Sequence, residues 1–362
     1  MNLRRIAAAV IGLFLWTAGP SAYSVEFGAF GDIRFIDSNA TAVEESFALG
    51  QFDLYAMQKI NDSTSVFVEY VLETGSSNEI VVDLERLYIS RRFNDAFTLG
   101  AGRYHAPLGY WNRNFHHGVL MQDSVSRPSF LEFEDGASAT LPMHVIGMMA
   151  TGTVDLGHSD LGYELFFGNA SSLDTSAVVP REIDVNNVSA PGENFLVGAR
   201  GLVEFPDQNI SVGIFAMSNP VFDSCSACGT AAQQLVGQVV TGVDFRYVPG
   251  RFDILAEYYN YDNTDELGTG FDGTATAYYA QFGYRITDVV KVIYRHEDLT
   301  IDNPADAYFT LLGTTAGTHE VAVARFDLDE SNAMFVEYKK FNPDGGTKDV
   351  NTWTLSWAFL MF

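Results

Sequence analysis

Positive charge is scarce in this sequence. Its 362 residues contain 46 aspartates and glutamates but only 21 lysines and arginines, which gives a formal net charge of −25 at pH 7. Binding to nucleic acid depends on clustered lysine and arginine that neutralise phosphates, so we exclude a nucleic-acid partner. The acidic balance instead biases the surroundings of the protein towards cations.

Cysteine is almost absent as well, and Cys225 and Cys228 are the only two. Gly229 follows the pair, so the C-x-x-C-H motif for haem attachment is not formed. The βαβ pattern that surrounds a thioredoxin-like redox site is also missing. In an oxidising compartment we expect a disulfide between Cys225 and Cys228 that staples a loop.

Long apolar segments are missing beyond the N-terminus. Arg4 and Arg5 precede an apolar run at residues 6–16, and small residues precede a predicted cleavage site before Val25. This pattern predicts a secretory signal peptide over residues 1–24. No later run approaches the roughly 18 apolar residues that a transmembrane helix requires. A secreted chain of this kind is either a soluble β-protein or a barrel of the outer membrane.

What the remaining chain does contain is alternation. Ile33 and Phe35 are apolar, for example, and alternate with the charged residues Asp32 and Arg34. A period of two is typical of strands with two different faces. It recurs in sixteen segments, at about 25–37, 46–60, 64–74, 81–92, 97–104, 143–154, 160–169, 194–204, 209–218, 236–247, 252–261, 275–286, 289–298, 319–328, 332–341 and 351–362.

Short and long connections follow one another strictly between these segments. The short ones are turns rich in Asn, Asp, Pro and Gly, while the long ones cover about 38–45, 75–80, 105–142, 170–193, 219–235, 262–274, 299–318 and 342–350. Outer-membrane barrels keep one rim short and elaborate the other, whereas a soluble sandwich gives no reason for such alternation. The sequence therefore predicts an all-β protein, a closed antiparallel 16-stranded transmembrane β-barrel over residues 25–362. A barrel of this size encloses water.

One face of the predicted strands is apolar and suited to lipid, and the other carries charges of both signs. We expect the charged face to line the lumen, with Arg86, Glu257, Arg285, Arg295 and Arg325 among its members.

Two segments break the simple alternation. Glu85 shares a face with the apolar Leu87, and Arg103 shares one with Leu99. A β-bulge adds one residue and reverses the parity of the side chains beyond it. A bulge, or a position above the hydrocarbon band, would resolve the first break, and Gly100 and Gly102 could host a bulge that turns Arg103 inwards.

The segment from Gly102 to Gly118 departs most from the alternation of the other segments, and it leads into the longest connection, residues 105–142. We expect this connection to fold back into the lumen and narrow it, and the alternative is a lid outside the pore. Opposed fixed charges across a constriction select solutes by charge and size. The candidate constriction residues near this connection are Arg103, His105, Arg113, His116, His117, Arg127, Glu132, Glu134 and Asp135.

Four histidines, namely His105, His116, His117 and His144, raise the question of a metal site. No H-x-x-x-H or H-E-x-x-H spacing occurs, so we expect neither a metal nor any other cofactor. No G-x-S-x-G occurs and no histidine stands in an obvious triad, so an outer-membrane hydrolase is a disfavoured alternative.

Two stretches carry a family resemblance. The terminal segment WTLSWAFLMF, ending on Phe362, resembles the last strand of outer-membrane barrels, whose closing aromatic is read by the barrel-assembly machinery. Residues 102–109, GRYHAPLG, resemble the G-x-[FY]-x-x-P-[FL]-G element of the phosphate-selective porin family. The resemblance implies an outer-membrane porin, a passive diffusion channel for small hydrophilic solutes or ions. It also implies contact with the lipid bilayer and lipopolysaccharide, and a possible homotrimer.

Selectivity for phosphate is not expected, since the chain has only five lysines. The acidic balance predicts a mild preference for cations. The alternative function is a barrel that sheaths or scaffolds a partner in metal or electron transfer.

Overall fold

The computed structural model describes residues 24–40, 45–74, 80–115, 118–179, 181–186, 194–224 and 232–362. The predicted signal peptide as far as residue 23, the pair His116 and His117, and the pair Cys225 and Cys228 lie outside the described residues. The cleavage, the constriction role of these histidines and the disulfide therefore stay predictions.

Besides the two-residue strand Ser172–Leu173, which pairs in parallel with Phe222 and Asp223, sixteen strands of the described residues form a single closed sheet. They are β1 (Val25–Ser38), β2 (Ser46–Asn61), β3 (Thr64–Thr74), β4 (Ile80–Asn94), β5 (Phe97–His105), β6 (His144–Asp155), β7 (Asp160–Asn169), β8 (Phe195–Phe205), β9 (Ile210–Asp223), β10 (Gln234–Tyr247), β11 (Phe252–Asp265), β12 (Gly273–Arg285), β13 (Val290–Ile301), β14 (Gly317–Asp329), β15 (Asn332–Pro343) and β16 (Val350–Met361). Each strand pairs antiparallel with its neighbours in the chain, and β1 also pairs with β16. The predicted 16-stranded antiparallel barrel is confirmed, and its closure leaves no sheet edge.

The rims of the barrel differ as the connections predicted. One rim carries the short connections at residues 62–63, 95–96, 156–159, 206–209, 248–251, 286–289 and 330–331, and the other carries the long ones. Strands extend beyond the predicted ends at the long rim, where β9 reaches Asp223 and β11 reaches Asp265. Backbone pairing continues there although the side-chain alternation fades, because ladder hydrogen bonds do not depend on the apolar pattern.

The two faces of the wall have opposite chemistry, as β12 illustrates. Tyr278 and Phe282 are exposed on the outside, while Tyr279 and Gln281 between them are buried on the inside. An exposed apolar band suits contact with hydrocarbon, where every backbone N–H and C=O must be paired within the protein. No helix among the described residues has the length and hydropathy needed to cross a membrane.

The last strand, β16, has its large residues on the outside. Trp353, Leu355 and Trp357 are each about half exposed, at 52%, 49% and 54%, whereas Thr354 and Ser356 are buried. The outer face of this strand therefore follows the tryptophans, which are residues that favour the membrane interface.

A bulge in β4 accounts for the first parity break. Glu69 on β3 stands opposite Arg86, but Tyr70 stands opposite Leu84, so Glu85 is an additional residue without a counterpart. Leu87 is exposed on the outside while Glu85 is only 4% exposed on the inside. The bulge thus places a carboxylate in the lumen from a segment that otherwise reads as facing lipid.

The bulge expected near Gly102 is not found, since the pairing of β5 with β4 keeps its register from Thr98 to Arg103. Gly102 has a φ of 134° instead, and a Cβ added there would lie 1.9 Å from the backbone oxygen of Leu87. This conformation is readily available only to glycine. It precedes Arg103, whose side chain contacts carboxylates of β4.

The long connection at residues 106–143 fills part of the barrel interior. It contains helix α1 (Gly109–Asn114) and two short 3₁₀ turns, Val119–Met121 and Ser129–Leu131. Trp111, fully buried, and Phe130 pack against the inward-facing tyrosines of β11 and β12. A second helix, α2 (Ala307–Leu312), packs on the same apolar cluster from the β13–β14 connection. The interior on this side is therefore a packed core.

Candidate functional site

Three buried glutamates hold the 106–143 connection against the wall. Glu257 on β11 accepts a hydrogen bond from the backbone N–H of Trp111 at 2.6 Å. Glu297 on β13 accepts from Ser129 N–H at 2.7 Å. Glu337 on β15 accepts from the N–H groups of residues 125 and 126 at 2.7 and 3.1 Å. Carboxylates that accept backbone N–H groups form strong, charge-assisted bonds, so three alternate strands fasten the connection.

Basic side chains of the same wall complete this attachment. Arg295, with no exposed surface, donates to Ser124 Oγ at 2.6 Å and to the carbonyl oxygen of Ser126 at 2.9 Å. Lys291 Nζ lies 2.6 Å from Asp123 Oδ2. Arg325 donates to the carbonyl oxygen of residue 122. The connection therefore lies along the inner faces of β11–β15.

The opposite side of the interior is open and acidic. A cavity of about 520 Å³ lies between the connection and β2–β6. Seven carboxylates and a single arginine, Arg103, carry its formal charges, and the carboxylates are Glu73, Asp83, Glu85, Glu134, Asp135, Glu182 and Asp184. His144 also lines it. We call this cavity the acidic mouth, and its formal charges are mostly negative.

A second cavity of about 390 Å³ lies beside the first, and Gln51, Glu73 and Phe133 line both. Its lining includes three basic residues, namely Arg34, Arg127 and Lys339. Arg127 lies over the ring of Phe133, 3.8 Å from its centroid. Burial lowers the pKa of Arg127 to about 10, so the guanidinium remains charged at neutral pH. Positive and negative groups thus line two neighbouring cavities.

Burial and the crowding of carboxylates in the acidic mouth raise the pKa values of two of its members. Burial, and then the nearby Glu134 and Asp83, raise the pKa of Asp135 above its ordinary value. Burial, and then Asp135 and Asp184, raise the pKa of Glu182. Like charges gathered in a partly dehydrated space disfavour the ionised form. Protonation therefore begins to reduce the charge of the mouth at a higher pH than it would for carboxylates with ordinary pKa values.

The predicted wall arginines are paired with carboxylates. Arg86 Nε lies 2.6 Å from Glu69 Oε2, and Arg325 Nε lies 2.6 Å from Asp327 Oδ1. Arg285, near the short rim, also reaches Asp327, at 2.9 Å.

Arg113 and Glu132 belong to the connection and lie on opposite sides of it. Arg113 on α1 lies 2.7 Å from Glu164 and lines a cavity towards the short rim. Glu132 lines the second cavity and accepts from the N–H of Ser138 at 3.0 Å.

The remaining predicted residues meet at the base of the connection. His105 ends β5 and His144 begins β6, and the two stand directly opposite each other. The Nδ1 atom of His144 lies 3.0 Å from Glu134 Oε1, and its Nε2 atom contacts Glu85. Burial opposes ionisation of Glu134, but the imidazole of His144 holds the pKa of Glu134 below its ordinary value.

Comparison with known proteins identifies the family. The sequence model described as "Phosphate-selective porin O and P" matches residues 49–352. The chain belongs to this family. It is an outer-membrane porin channel.

Solved structures with low sequence identity share the fold of the porin. An anion-selective porin from Comamonas acidovorans has 9% identity and a TM-score of 0.63, with 94% of this chain and 100% of that chain covered. The trimer form of OmpT, an outer membrane protein of Vibrio cholerae, has 12% identity and a TM-score of 0.59, with 94% and 100% covered. The outer membrane channel DcaP of Acinetobacter baumannii has 14% identity and a TM-score of 0.58, with 95% and 99% covered. Comparison with curated proteins gives no match.

Two sets of residues in the porin were not among the constriction candidates, although alternation places Glu297 and Glu337 on the charged face of their strands. Glu297 and Glu337 continue the series begun by Glu257, with one glutamate every 40 residues (297 − 257 and 337 − 297) on alternate strands. This spacing was a readable signal. Glu182 and Asp184 come from the β7–β8 connection, and no local pattern connects them with the mouth.

Proposed function

We propose that the porin is a passive diffusion channel whose acidic outer mouth favours small hydrophilic cations. The observation that carries this proposal is the cavity in which seven carboxylates face a single arginine. The family is described as phosphate-selective, and one structural relative is an anion-selective porin. An anion channel needs an excess of positive groups along the passage, and an acidic mouth opposes the entry of anions.

The 106–143 connection forms the constriction in this proposal. Its contacts with β11–β15 leave the passage between its other face and β1–β5. Arg127, Glu132, Glu134 and Asp135 on the connection then face Arg34 and Arg103 on the wall, whereas Arg86 is paired with Glu69. Glu257, Arg295 and Arg325 contact the opposite face of the connection and hold it in place. Arg113 and Arg285 lie towards the short rim, where they influence exit into the periplasm.

We propose transport without catalysis, because most of the charged groups that line these cavities are carboxylates and guanidiniums, which supply fixed charge. A sheath around a partner is less favoured, because the connection already occupies part of the interior. A homotrimer is proposed from the trimer form of a structural relative. Removal of residues 1–24, recognition of Phe362 by the barrel-assembly machinery and contact with lipopolysaccharide complete the proposal.

Reversal potentials in a potassium chloride gradient test the selectivity. We expect cation preference in the wild type and a clear loss of it in the double variant Asp135→Asn/Glu182→Gln. Glu330→Gln is the matched control, since Glu330 is an exposed acid in the short β14–β15 turn. An anion-selective wild type, or equal reversal potentials for the double variant and the control, would contradict the proposal.

A further inference from the structure

We propose that Glu85, His105 and His144 bind a divalent transition-metal ion, such as Zn²⁺, at the base of the 106–143 connection. The three side chains come from different strands, and all are buried. One ligand atom of each lies within 4.8 Å of the ligand atoms of the other two. Metal–ligand bonds of about 2.0–2.2 Å to nitrogen and carboxylate oxygen keep the ligand atoms of one ion within about 4.4 Å of each other, so a small approach of these side chains would close the site around an ion.

The backbone brings these ligands together. His105 and His144 are paired residues of adjacent strands, with ring centroids 5.4 Å apart. Glu85 reaches the same position because the β4 bulge turns it into the lumen. Bulges often serve to aim a single side chain at a site. The alternation of β4 without the bulge would direct this carboxylate towards lipid.

Glu134 supplies the outer support that metal-binding histidines usually have. Its two oxygens lie 3.0 and 3.1 Å from Nδ1 of His144, and Oε1 also accepts from the backbone N–H of that residue at 2.7 Å. A carboxylate on Nδ1 keeps the proton there and leaves the lone pair of Nε2 available to a metal. Nε2 is the atom that faces Glu85.

The donor set selects the class of ion. Two imidazoles and a carboxylate suit Zn²⁺, Co²⁺ or Ni²⁺, whereas Mg²⁺ and Ca²⁺ prefer oxygen ligands throughout. Arg103, whose Nη2 lies 4.0 Å from Glu85 Oε2, partly offsets the charge of the two carboxylates. The site would thus select an ion by the type of its ligands and not by negative charge alone.

A metal here would join both ends of the connection to the wall, since His105 and His144 flank it directly. Glu85 and His144 also line the acidic cavity. A bound ion would therefore reduce the negative charge of the mouth. The competing arrangement is a protonated His144 paired with Glu85 and Glu134, which requires no metal.

Calorimetric titration of the purified, chelator-treated barrel with Zn²⁺ distinguishes the two arrangements. We expect one Zn²⁺ per chain, and visible absorption of Co²⁺ that changes when the ion enters the site. His105→Gln and His144→Gln should each lower the affinity at least 100-fold. Glu134→Gln should lower it 10–100-fold, the usual effect of losing the outer partner of a ligating histidine. His319→Gln, which alters another buried histidine of the inner wall, is the matched control and should bind as the wild type does.

A His116→Gln/His117→Gln variant tests the other histidines of the connection and should retain binding. Circular dichroism and the gel mobility of unheated samples show whether each variant is folded, and Glu134→Gln decides the matter if a histidine variant is not. Absence of stoichiometric Zn²⁺ binding, or affinity unchanged by His144→Gln and Glu134→Gln, would overturn the proposal. Loss of binding in the His116→Gln/His117→Gln variant would overturn it too. Because Zn²⁺ binding is measured directly, these outcomes are independent of the channel's selectivity.

Discussion

Removal of the Glu337 carboxylate should loosen the connection inside the barrel. Glu337 is 2% exposed, and it accepts from Val125 N–H at 2.7 Å and Ser126 N–H at 3.1 Å. Glu337→Ala removes both acceptors and leaves two backbone N–H groups facing an apolar methyl. Water can satisfy these groups only if this part of the connection moves away from β15.

The size of the effect follows from the two bonds. A hydrogen bond to a charged group contributes about 1.5–3 kcal/mol, so the pair contributes roughly 3–6 kcal/mol before the cost of burying the carboxylate is subtracted. A net loss of about 3 kcal/mol raises the ratio of detached to attached connection by roughly 100-fold, since about 1.4 kcal/mol corresponds to a factor of ten. Glu257 and Glu297 still hold the neighbouring parts, so local detachment is expected and global unfolding is not.

Single-channel recording in planar bilayers measures this detachment. The wild type should conduct at a steady level, whereas Glu337→Ala should show repeated excursions to a higher conductance. Glu320→Ala is the matched control, because Glu320 on β14 faces outwards and pairs with His296 at 2.8 Å. If Glu337→Ala and Glu320→Ala give the same conductance and the same noise, the reasoning about carboxylate anchors is refuted.

Four further outcomes follow from the same interior. Replacing residues 110–135 with a short flexible linker should raise the single-channel conductance, and an unchanged value would place the connection outside the pore. Lowering the pH should reduce cation preference through the raised pKa values of Asp135 and Glu182, that is, beginning above their ordinary values of 3.8 and 4.5, because protonation removes the negative charge. The same raised pKa values mean that protonation relieves repulsion in the folded state, so these two groups stabilise the fold more as the pH falls. The double variant Asp135→Asn/Glu182→Gln should therefore weaken the pH dependence of the cation preference and the pH dependence of the free energy of unfolding. Trp111→Ala should lower the free energy of unfolding, measured in urea, by about 3–5 kcal/mol, because Trp111 is fully buried. Trp353→Ala on the exposed face should lower it much less.

The alternation of side chains indicates the bulge at Glu85 but does not give its position. Asp83, Glu85 and Leu87 have the same parity, so a bulge could be expected, but its exact position depends on how β3 and β4 pair. At Gly102 the same reasoning was wrong, because a positive φ replaced the expected extra residue. Glycine permits both solutions, and only the neighbouring strands distinguish them.

For the constriction candidates, too, the face of a side chain was predictable but its contacts were not. Alternation predicts an inward position for Glu257 and Arg295, and both are buried beneath the connection. Glu182 contributes to the acidic mouth although it comes from a different connection. Alternation reports which face a side chain occupies, and it cannot report what packs against that face.

By itself, the sequence determined the barrel. Strand faces have a period of two and connection lengths are local properties, so sixteen strands, two unequal rims and a charged interior could all be predicted before any contact was known. Only the tertiary structure decided how that interior is divided. The packing of residues 106–143 on β11–β15 determines which charges are covered and which face the passage. That packing joins residues far apart in the chain, such as Val125 and Glu337, and no local period of the sequence encodes their meeting.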